Sequence, residues 1–507
     1  MNGYGKVIIA GAGPGDPGLI TIKCREAIEK ADVILYDRLI NISILDYAKP
    51  GCLKMFVGKE ASRHYVPQDE TNKLLIEFAK SGKNTLRLKG GDPLIFGRGS
   101  EEAMALLEEG IEFEFIPGIT AGIGGSAYSG IPLTHRGITT QFIFLTAHES
   151  PDKPESQIEW ELIARMKNTT ILIYMGASLL DKIAQKLLDC GMAPEMPAAI
   201  VENATLPAMR TTISDVGELA ENLDSFHFNP PLITIISPTV PLRKYLAWFE
   251  KRPLFGKRIV VTRAASQAKP LYKMLEERGA VVIPFQVLRI EQYEPDISAK
   301  RILSDNQYDW LIFSSENGVK YFFERLNAES LDARALAGMK IAVVGKGTAA
   351  ELSNFGIKAD FIPSGFTSQR LISELSMTFH LEAQKILRIK GDFGNDFIAD
   401  ELTRLGATVM PYIVYRTLHD RPDNQIIEDL LSKGCDTAMF TSGSSVDSFF
   451  AAVGEDYALN ILKKSRVIAI GPVTGDKLDS KGINNYLKPD ESTVEAMVDL
   501  AVEIFSI

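Results

Sequence analysis

Short apolar runs, separated by glycine-rich turns and longer mixed stretches, recur along the chain. This is the pattern of buried strands alternating with helices. Lys6–Ala10 is the first such run. It enters Gly11-Ala12-Gly13-Pro14-Gly15-Asp16-Pro17-Gly18, and a helix is expected from about Thr21 to Ala31. Val33–Tyr36 reads as a strand ending at Asp37-Arg38, and a further strand ends at Phe56-Val57-Gly58, ahead of Lys59. Asn84–Lys89 alternates apolar Leu86 and Leu88 with Arg87 and Lys89, then runs into Gly90-Gly91-Asp92-Pro93. The two glycines there permit backbone conformations closed to other residues. Gly97-Arg98-Gly99 opens a helix to about Glu109, with Ser100 expected as its N-cap. Strand, glycine turn, acid, helix is how an α/β fold builds a ligand floor at the carboxyl end of its sheet. Asp92 is placed to accept hydrogen bonds from a hydroxyl or amine.

Phe113–Pro117 precedes Gly118–Ala127, a run of small residues against which a backbone or a ligand must come close. Thr139–Thr146, Thr170–Met175, Leu179–Cys190, Ala198–Glu202 and Leu232–Ser237 continue the alternation, with a surface loop expected over Ser150–Gln157. The front half is therefore α/β, in two lobes joined near Gly118–Thr139. The opening loop resembles a dinucleotide fingerprint, and Asp37 lies at a suitable distance along the chain. However, the third glycine falls on Asp16, and two prolines remove backbone donors that a pyrophosphate would use.

After a linker around 246–256 the text recurs. Arg258–Arg263 returns as Lys385–Lys390, and LEERGAVVIPFQVLRI returns as LTRLGATVMPYIVYRT. Ile312–Ser315 returns as Met439–Ser442, and Val344–Thr348 returns as Ile470–Thr474. The offset holds at about 127 residues, so the back half is two copies of one α/β unit. Each copy has a strand ending in Ser or Thr and another ending in Gly-x-x-Thr at a helix start, the edge positions where open α/β folds bind ligands. These hydroxyls also serve as helix caps. Tyr415 matches Leu288 in the first copy, so an aromatic hydroxyl appears in one copy alone.

The chain has 507 residues, 45% hydrophobic and 24% charged, which suits several globular domains. No apolar run reaches the length of a membrane span, and the first residues lack a signal-peptide layout. The net charge of −10 argues against a general nucleic-acid binder but allows an anionic small substrate in a local basic cleft. Cys24, Cys52, Cys190 and Cys435 show no metal or CxxC spacing, and the histidines form no HExxH. Free thiols in a reducing, cytoplasmic setting are expected, with no metal and no membrane or nucleic-acid partner.

GAGPGDPGLIT, VILYDRLI, VGK, RLKGGDPLIFGRG, PGITA, THR, YMG and VEN, in this order over about residues 5–245, resemble the uroporphyrinogen-III C-methyltransferases of the tetrapyrrole methylase family. The resemblance implies S-adenosylmethionine (SAM) between two α/β lobes and methylation of uroporphyrinogen III at two ring carbons to give precorrin-2, on the branch to sirohaem and cobalamin. It implies SAM contacts at Pro14, Gly90, Gly91, Asp92, Ile95, Thr120, Ala121 and Met175. It implies a further contact at Ala204, where the family has glycine, and an acid–base pair of Asp37 and Lys59. A homodimer through this half is expected as well. Residues 257–507 resemble uroporphyrinogen-III synthase, through the duplicated layout, IVYRT, TSGSSV and the two Gly-x-x-Thr turns. That resemblance implies closure of hydroxymethylbilane to uroporphyrinogen III with inversion of ring D, without a cofactor. It also implies two lobes, at about 257–288 with 419–507 and at about 292–414, crossing near Phe285–Gln292 and Tyr412–Leu418. Thr348, Tyr415 and Thr474 are the expected functional positions, with Ser315 and Ser442 in support and Tyr415 as proton donor. A nicotinamide dehydrogenase for the front half and a two-lobed ligand-binding module for the back half are the competing readings.

Overall fold

A computed structural model describes residues 4–58, 67–148, 156–221, 227–263, 265–286, 288–305, 308–365, 367–392, 396–419 and 421–506. The chain falls into two compact units. The first runs to Lys257 and takes in Leu275–Val281; the second holds Arg258–Met274 and Val282–Phe505.

The first unit contains two five-stranded sheets. One is built from β1 (Val7–Gly11), β2 (Val33–Tyr36), β3 (Leu53–Phe56), β4 (Thr85–Lys89) and β5 (Phe113–Ile116), in the order β3-β2-β4-β1-β5 and parallel throughout. Its central strands are apolar because helices cover both faces, as parallel sheets require. The same burial takes in Arg87 and Lys89 of β4, which alternate with leucine in the sequence. The other sheet comprises β6 (Gln141–Thr146), β7 (Thr169–Tyr174), β8 (Pro197–Glu202), β9 (Arg210–Asp215) and β10 (Leu232–Ile236), ordered β6-β7-β10-β8-β9. Only β6 and β7 run parallel; the other pairs are antiparallel. The helix Ala121–Ser129 follows β5 and precedes this sheet. Residues 246–256, expected to link the halves, are packed: Phe249 and Leu254 are buried, and Trp248 Nε1 donates to Ala127 O at 3.0 Å.

The second unit also has two sheets. β11 (Arg258–Thr262) and β12 (Val281–Pro284) open it. β13 (Leu288–Gln292), β14 (Trp310–Phe313), β15 (Lys340–Val343), β16 (Lys385–Gly391) and β17 (Thr408–His419) follow, and β18 (Thr437–Phe440) and β19 (Arg466–Ala469) close it. The strand orders are β12-β11-β18-β19 and β13-β17-β16-β14-β15. β17 runs parallel to β16 over its first half and antiparallel to β13 over its second, where Tyr415 pairs with Gln292. Tyr415 therefore lies inside a twelve-residue strand, at a register shift where Gly391 faces it. Among the described residues no helix is long and apolar enough to cross a membrane.

Candidate functional site

The carboxyl ends of β4, β1 and β5 converge on three glycines. A Cβ added to Gly11 would stand 2.5 Å from the Gly91 carbonyl oxygen and 2.7 Å from Gly118 Cα, so these positions require bare backbone. Ala12 N donates to Lys89 O at 2.7 Å, and Gly91 N to Gly13 O at 2.7 Å, tying the first βα turn to the Gly90–Asp92 turn. Gly91 sits at φ +68°, the left-handed region that favours glycine. The Asp92 carboxylate is already engaged. Oδ1 accepts from Leu94 N at 2.8 Å and Oδ2 from Gly118 N at 3.0 Å, which clamps the turn onto the end of β5 and leaves only its remaining lone pairs for a ligand.

The helix after this turn runs Gly99–Glu108 and is capped at Arg98, at φ 58°, with no side-chain cap bond; Ser100 lies inside its first turn. The correction has a steric cause. Gly99 N donates to Pro93 O at 2.9 Å, and a Cβ at Gly99 would lie 2.5 Å from that oxygen, so the chain folds back two residues early. The fold-back presents Ile95 and Phe96 at the surface, and the Phe96 ring stands 5.1 Å from that of Tyr174.

Tyr174, the last residue of β7, is the link that sequence reasoning missed. Its hydroxyl bonds Thr120 Oγ1 at 2.9 Å and accepts from Gly122 N at 2.7 Å, anchoring the start of the helix Ala121–Ser129. Thr120 is buried by this bond, and Ala121 packs behind it. Met175 follows, half exposed, at φ +57°. Glycines in the same helix admit Pro14 and Ala204: a Cβ at Gly124 would stand 2.6 Å from Pro14 Cγ, and one at Gly125 3.0 Å from Ala204 Cβ. Asn203 and Thr205 take left-handed φ values of 46° and 69°, whereas Ala204 is not among the positive-φ residues, so its methyl group is accommodated. Asp16, where a dinucleotide fingerprint needs glycine, closes its loop with its side chain. It accepts from Gly18 N at 2.7 Å and from the Tyr128 hydroxyl at 2.7 Å.

Asp37 accepts from Gly90 N at 3.3 Å and from Arg87 Nη2 at 3.2 Å. Arg87 Nε and Lys89 Nζ each lie 2.9 Å from Oε1 of Glu102, which is fully buried. Burial alone pushes the Glu102 carboxyl up, but the charges of Arg87 and Lys89 and their hydrogen bonds reverse this and hold it below the usual carboxylate range. Burial is likewise the largest influence on Lys89 and pulls its ammonium down. This buried trio under the glycine turn was hidden in the sequence, because Glu102 lies on a helix and Arg87 and Lys89 on a strand. Lys59, the expected partner of Asp37, lies outside the described residues.

In the second unit Ser315 and Tyr415 meet: their hydroxyls are 3.0 Å apart. Ser315 caps the helix Glu316–Ala328 by accepting from Gly318 N at 3.1 Å. The Tyr415 ring lies over Gly391, where a Cβ would stand 2.5 Å from it, and stacks on Tyr321 at 6.0 Å. Burial, the largest influence, raises the Tyr415 phenol above its ordinary range; the Ser315 bond works against this. Thr348 is buried at the start of the helix Lys346–Asn354 in the same lobe. Ser442 and Thr474 stand at the matching helix starts of the other sheet, where Ser442 and Ser445 form a reciprocal capping box. The five positions are thus divided between two sheets, three on one and two on the other.

Residues 6–220 match the family described as Tetrapyrrole (Corrin/Porphyrin) Methylases, and residues 269–499 match Uroporphyrinogen-III synthase HemD. The chain is 34% identical over 505 residues to the Porphyrin biosynthesis protein HemD of Ruminiclostridium josui, covering 99% of this chain and 98% of that protein. It is 44% identical over 243 residues to the S-adenosyl-L-methionine-dependent uroporphyrinogen III methyltransferase of Methanosarcina barkeri, covering 48% of this chain and 95% of that one. The crystal structure of Uroporphyrin-III C-methyl transferase from Thermus thermophilus complexed with S-adenyl homocysteine aligns at 35% identity and a TM-score of 0.40, covering 46% of this chain and 93% of that one.

Proposed function

Since the chain belongs to the tetrapyrrole methylase family through its front half and to the uroporphyrinogen-III synthase family through its back half, we propose that it catalyses two consecutive steps of tetrapyrrole synthesis. The back half closes hydroxymethylbilane to uroporphyrinogen III with inversion of ring D. The front half methylates that product at two ring carbons to give precorrin-2.

In the back half Tyr415 donates its proton to the departing hydroxyl of the bilane, so the C–O bond breaks and water leaves. Ser315, 3.0 Å away, holds the phenol in place. The azafulvene left behind is attacked by the substituted α-carbon of ring D. The bond from that carbon to its original methylene bridge then breaks, and the bridge re-bonds at the ring's free α-carbon, which inverts ring D. The proton lost from that free α-carbon balances the one supplied. Most of the rate gain comes from holding a flexible chain in a reactive fold, a role for Thr348, Ser442 and Thr474.

The front half fits SAM on its own geometry. Bare backbone at Gly90 and Gly91 offers polar groups, and exposed Ile95 and Met175 offer apolar surface for an adenosyl group. When bound, SAM supplies the methyl groups. Pro14, Gly90, Gly91, Asp92, Thr120, Ala121 and Ala204 orient it, while Asp37, held by Arg87, takes a proton from the methylated pyrrole ring.

The convergence of these positions on the helix that Tyr174 anchors is the observation that carries the reading. Incubation of the full chain with hydroxymethylbilane and SAM, followed by mass spectrometry, tests it. The expected product is uroporphyrinogen III carrying two added methyl groups. Absence of SAM consumption sinks the front-half assignment, and recovery of only the uninverted ring isomer sinks the back-half one.

A further inference from the structure

The two lobes of the second unit repeat at an offset of about 127 residues, so Arg263 and Lys390 hold matching places. Arg263 directly follows β11, and Lys390 stands near the end of β16. On the neighbouring parallel strand each lobe reaches a serine N-cap, Ser442 in one and Ser315 in the other. The next strand leads to Thr474 or Thr348, 3% and 6% exposed, whose hydroxyls have no hydrogen-bond partner among the described residues.

The charges around the two cations differ. Lys390 Nζ lies 2.5 Å from Asp396 Oδ1, so its charge is answered within its own lobe. In the first lobe the residue matching Asp396 is Lys269: a carboxylate has become a second cation. Arg263 makes no ion pair with any described residue, although it is half buried. Burial works against its charge, and Glu316 and Glu495 offset this only electrostatically. Glu316 is otherwise placed. Its carboxylate lies over Gly347, so close that a Cβ there would collide with Oε1. An unpaired guanidinium out of water is costly, and its planar fork suits a carboxylate.

We propose that Arg263 docks a carboxylate side chain of the open-chain tetrapyrrole, in the lobe where no described carboxylate forms an ion pair with it. Arg263 then anchors the substrate from the lobe that lacks Tyr415. This rests on the synthase reading, and the experiment separates the two. Steady-state synthase kinetics with hydroxymethylbilane are measured on the full chain, on Arg263→Gln and on Arg263→Lys. KM should rise about tenfold to a hundredfold in Arg263→Gln, the scale of one lost bond between charged groups. It should rise less in Arg263→Lys, which keeps the charge and loses the fork. kcat should change by less than about threefold, since Arg263 holds substrate and not the reacting atoms. The melting temperature of Arg263→Gln should hold or rise, because an unanswered charge leaves the fold. Methylation of supplied uroporphyrinogen III should persist in both variants. A wild-type KM in folded Arg263→Gln overturns the proposal. If that variant does not fold, a wild-type KM in Arg263→Lys does so. A wild-type chain inert toward hydroxymethylbilane overturns the synthase reading itself.

Discussion

Tyr415→Phe removes one oxygen and keeps the ring. The ring rests over Gly391 and stacks on Tyr321, and neither contact needs the hydroxyl. Among the described residues the hydroxyl makes one hydrogen bond, 3.0 Å to Ser315, a neutral pair worth about 1 kcal/mol net. Ser315 keeps its bond from Gly318 N, so the helix cap survives. For a unit of this size, the melting temperature should fall by about 2–4 °C. Loss of a proton donor to the departing hydroxyl should instead lower synthase kcat by about tenfold to a thousandfold. Burial raises the phenol above its ordinary value of 10.0, so the proton stays on Tyr415 through neutral pH. Since its folded-state value is raised, the stability linked to this group is fully present below about pH 10 and is lost as pH rises beyond. The assay is steady-state conversion of hydroxymethylbilane with thermal melting in parallel. A kcat within about twofold of wild type, with the small thermal shift present, would refute the donor role and leave Tyr415 as a packed ring.

Asp92→Ala removes two backbone clamps together with any ligand contact, so SAM affinity by calorimetry should fall about tenfold to a hundredfold and the front unit should melt earlier, while synthase turnover holds. Tyr174→Phe releases Thr120 and Gly122 and should weaken SAM binding by about 1–2 kcal/mol; unchanged affinity would show that the helix start holds its place without that hydroxyl. Glu102→Gln leaves Arg87 and Lys89 short of a buried carboxylate and should cost about 3–5 kcal/mol in denaturant unfolding. Because the Glu102 carboxyl is held low, its contribution in the wild type is present above its ordinary value of 4.5 and disappears as pH falls through the lowered one, a dependence that Glu102→Gln should lack.

The alternation of apolar runs and glycine turns made the α/β class and the internal duplication legible, because buried parallel strands and strand-end turns leave local signatures. Features that depend on distant residues stayed hidden. Arg87 and Lys89 look like one polar face of a strand, but that face lies under a helix carrying Glu102. Tyr415 looks like a strand end because the apolar text stops there, yet β17 continues by changing partners from β16 to β13. Ser100 is a good cap by type, but the contact between Gly99 and Pro93 fixes the helix start at Arg98. Tyr174 carries no local mark that its hydroxyl reaches the start of the helix Ala121–Ser129. The glycines at 11, 91 and 118 were readable individually, whereas their mutual contact required the strand order β4-β1-β5.

The two halves use one local text to different ends. β4 closes with Arg87-Leu88-Lys89-Gly90, and β16 with Arg388-Ile389-Lys390-Gly391. In the first, both cations converge on one fully buried carboxylate and Arg87 also reaches Asp37, so their charge is answered beneath the turn. What the Gly90–Asp92 turn then offers a ligand is backbone and apolar surface, which discriminates by shape. In the second, the neutralising group is Asp396, 58% exposed in its side chain, while Arg388 and Lys390 are themselves buried beneath it. Separating either set leaves a buried cation unanswered, which is costly. The front turn therefore rests on cations held by a carboxylate that water does not reach, whereas the matching text of the second unit holds its cations under a carboxylate open to water.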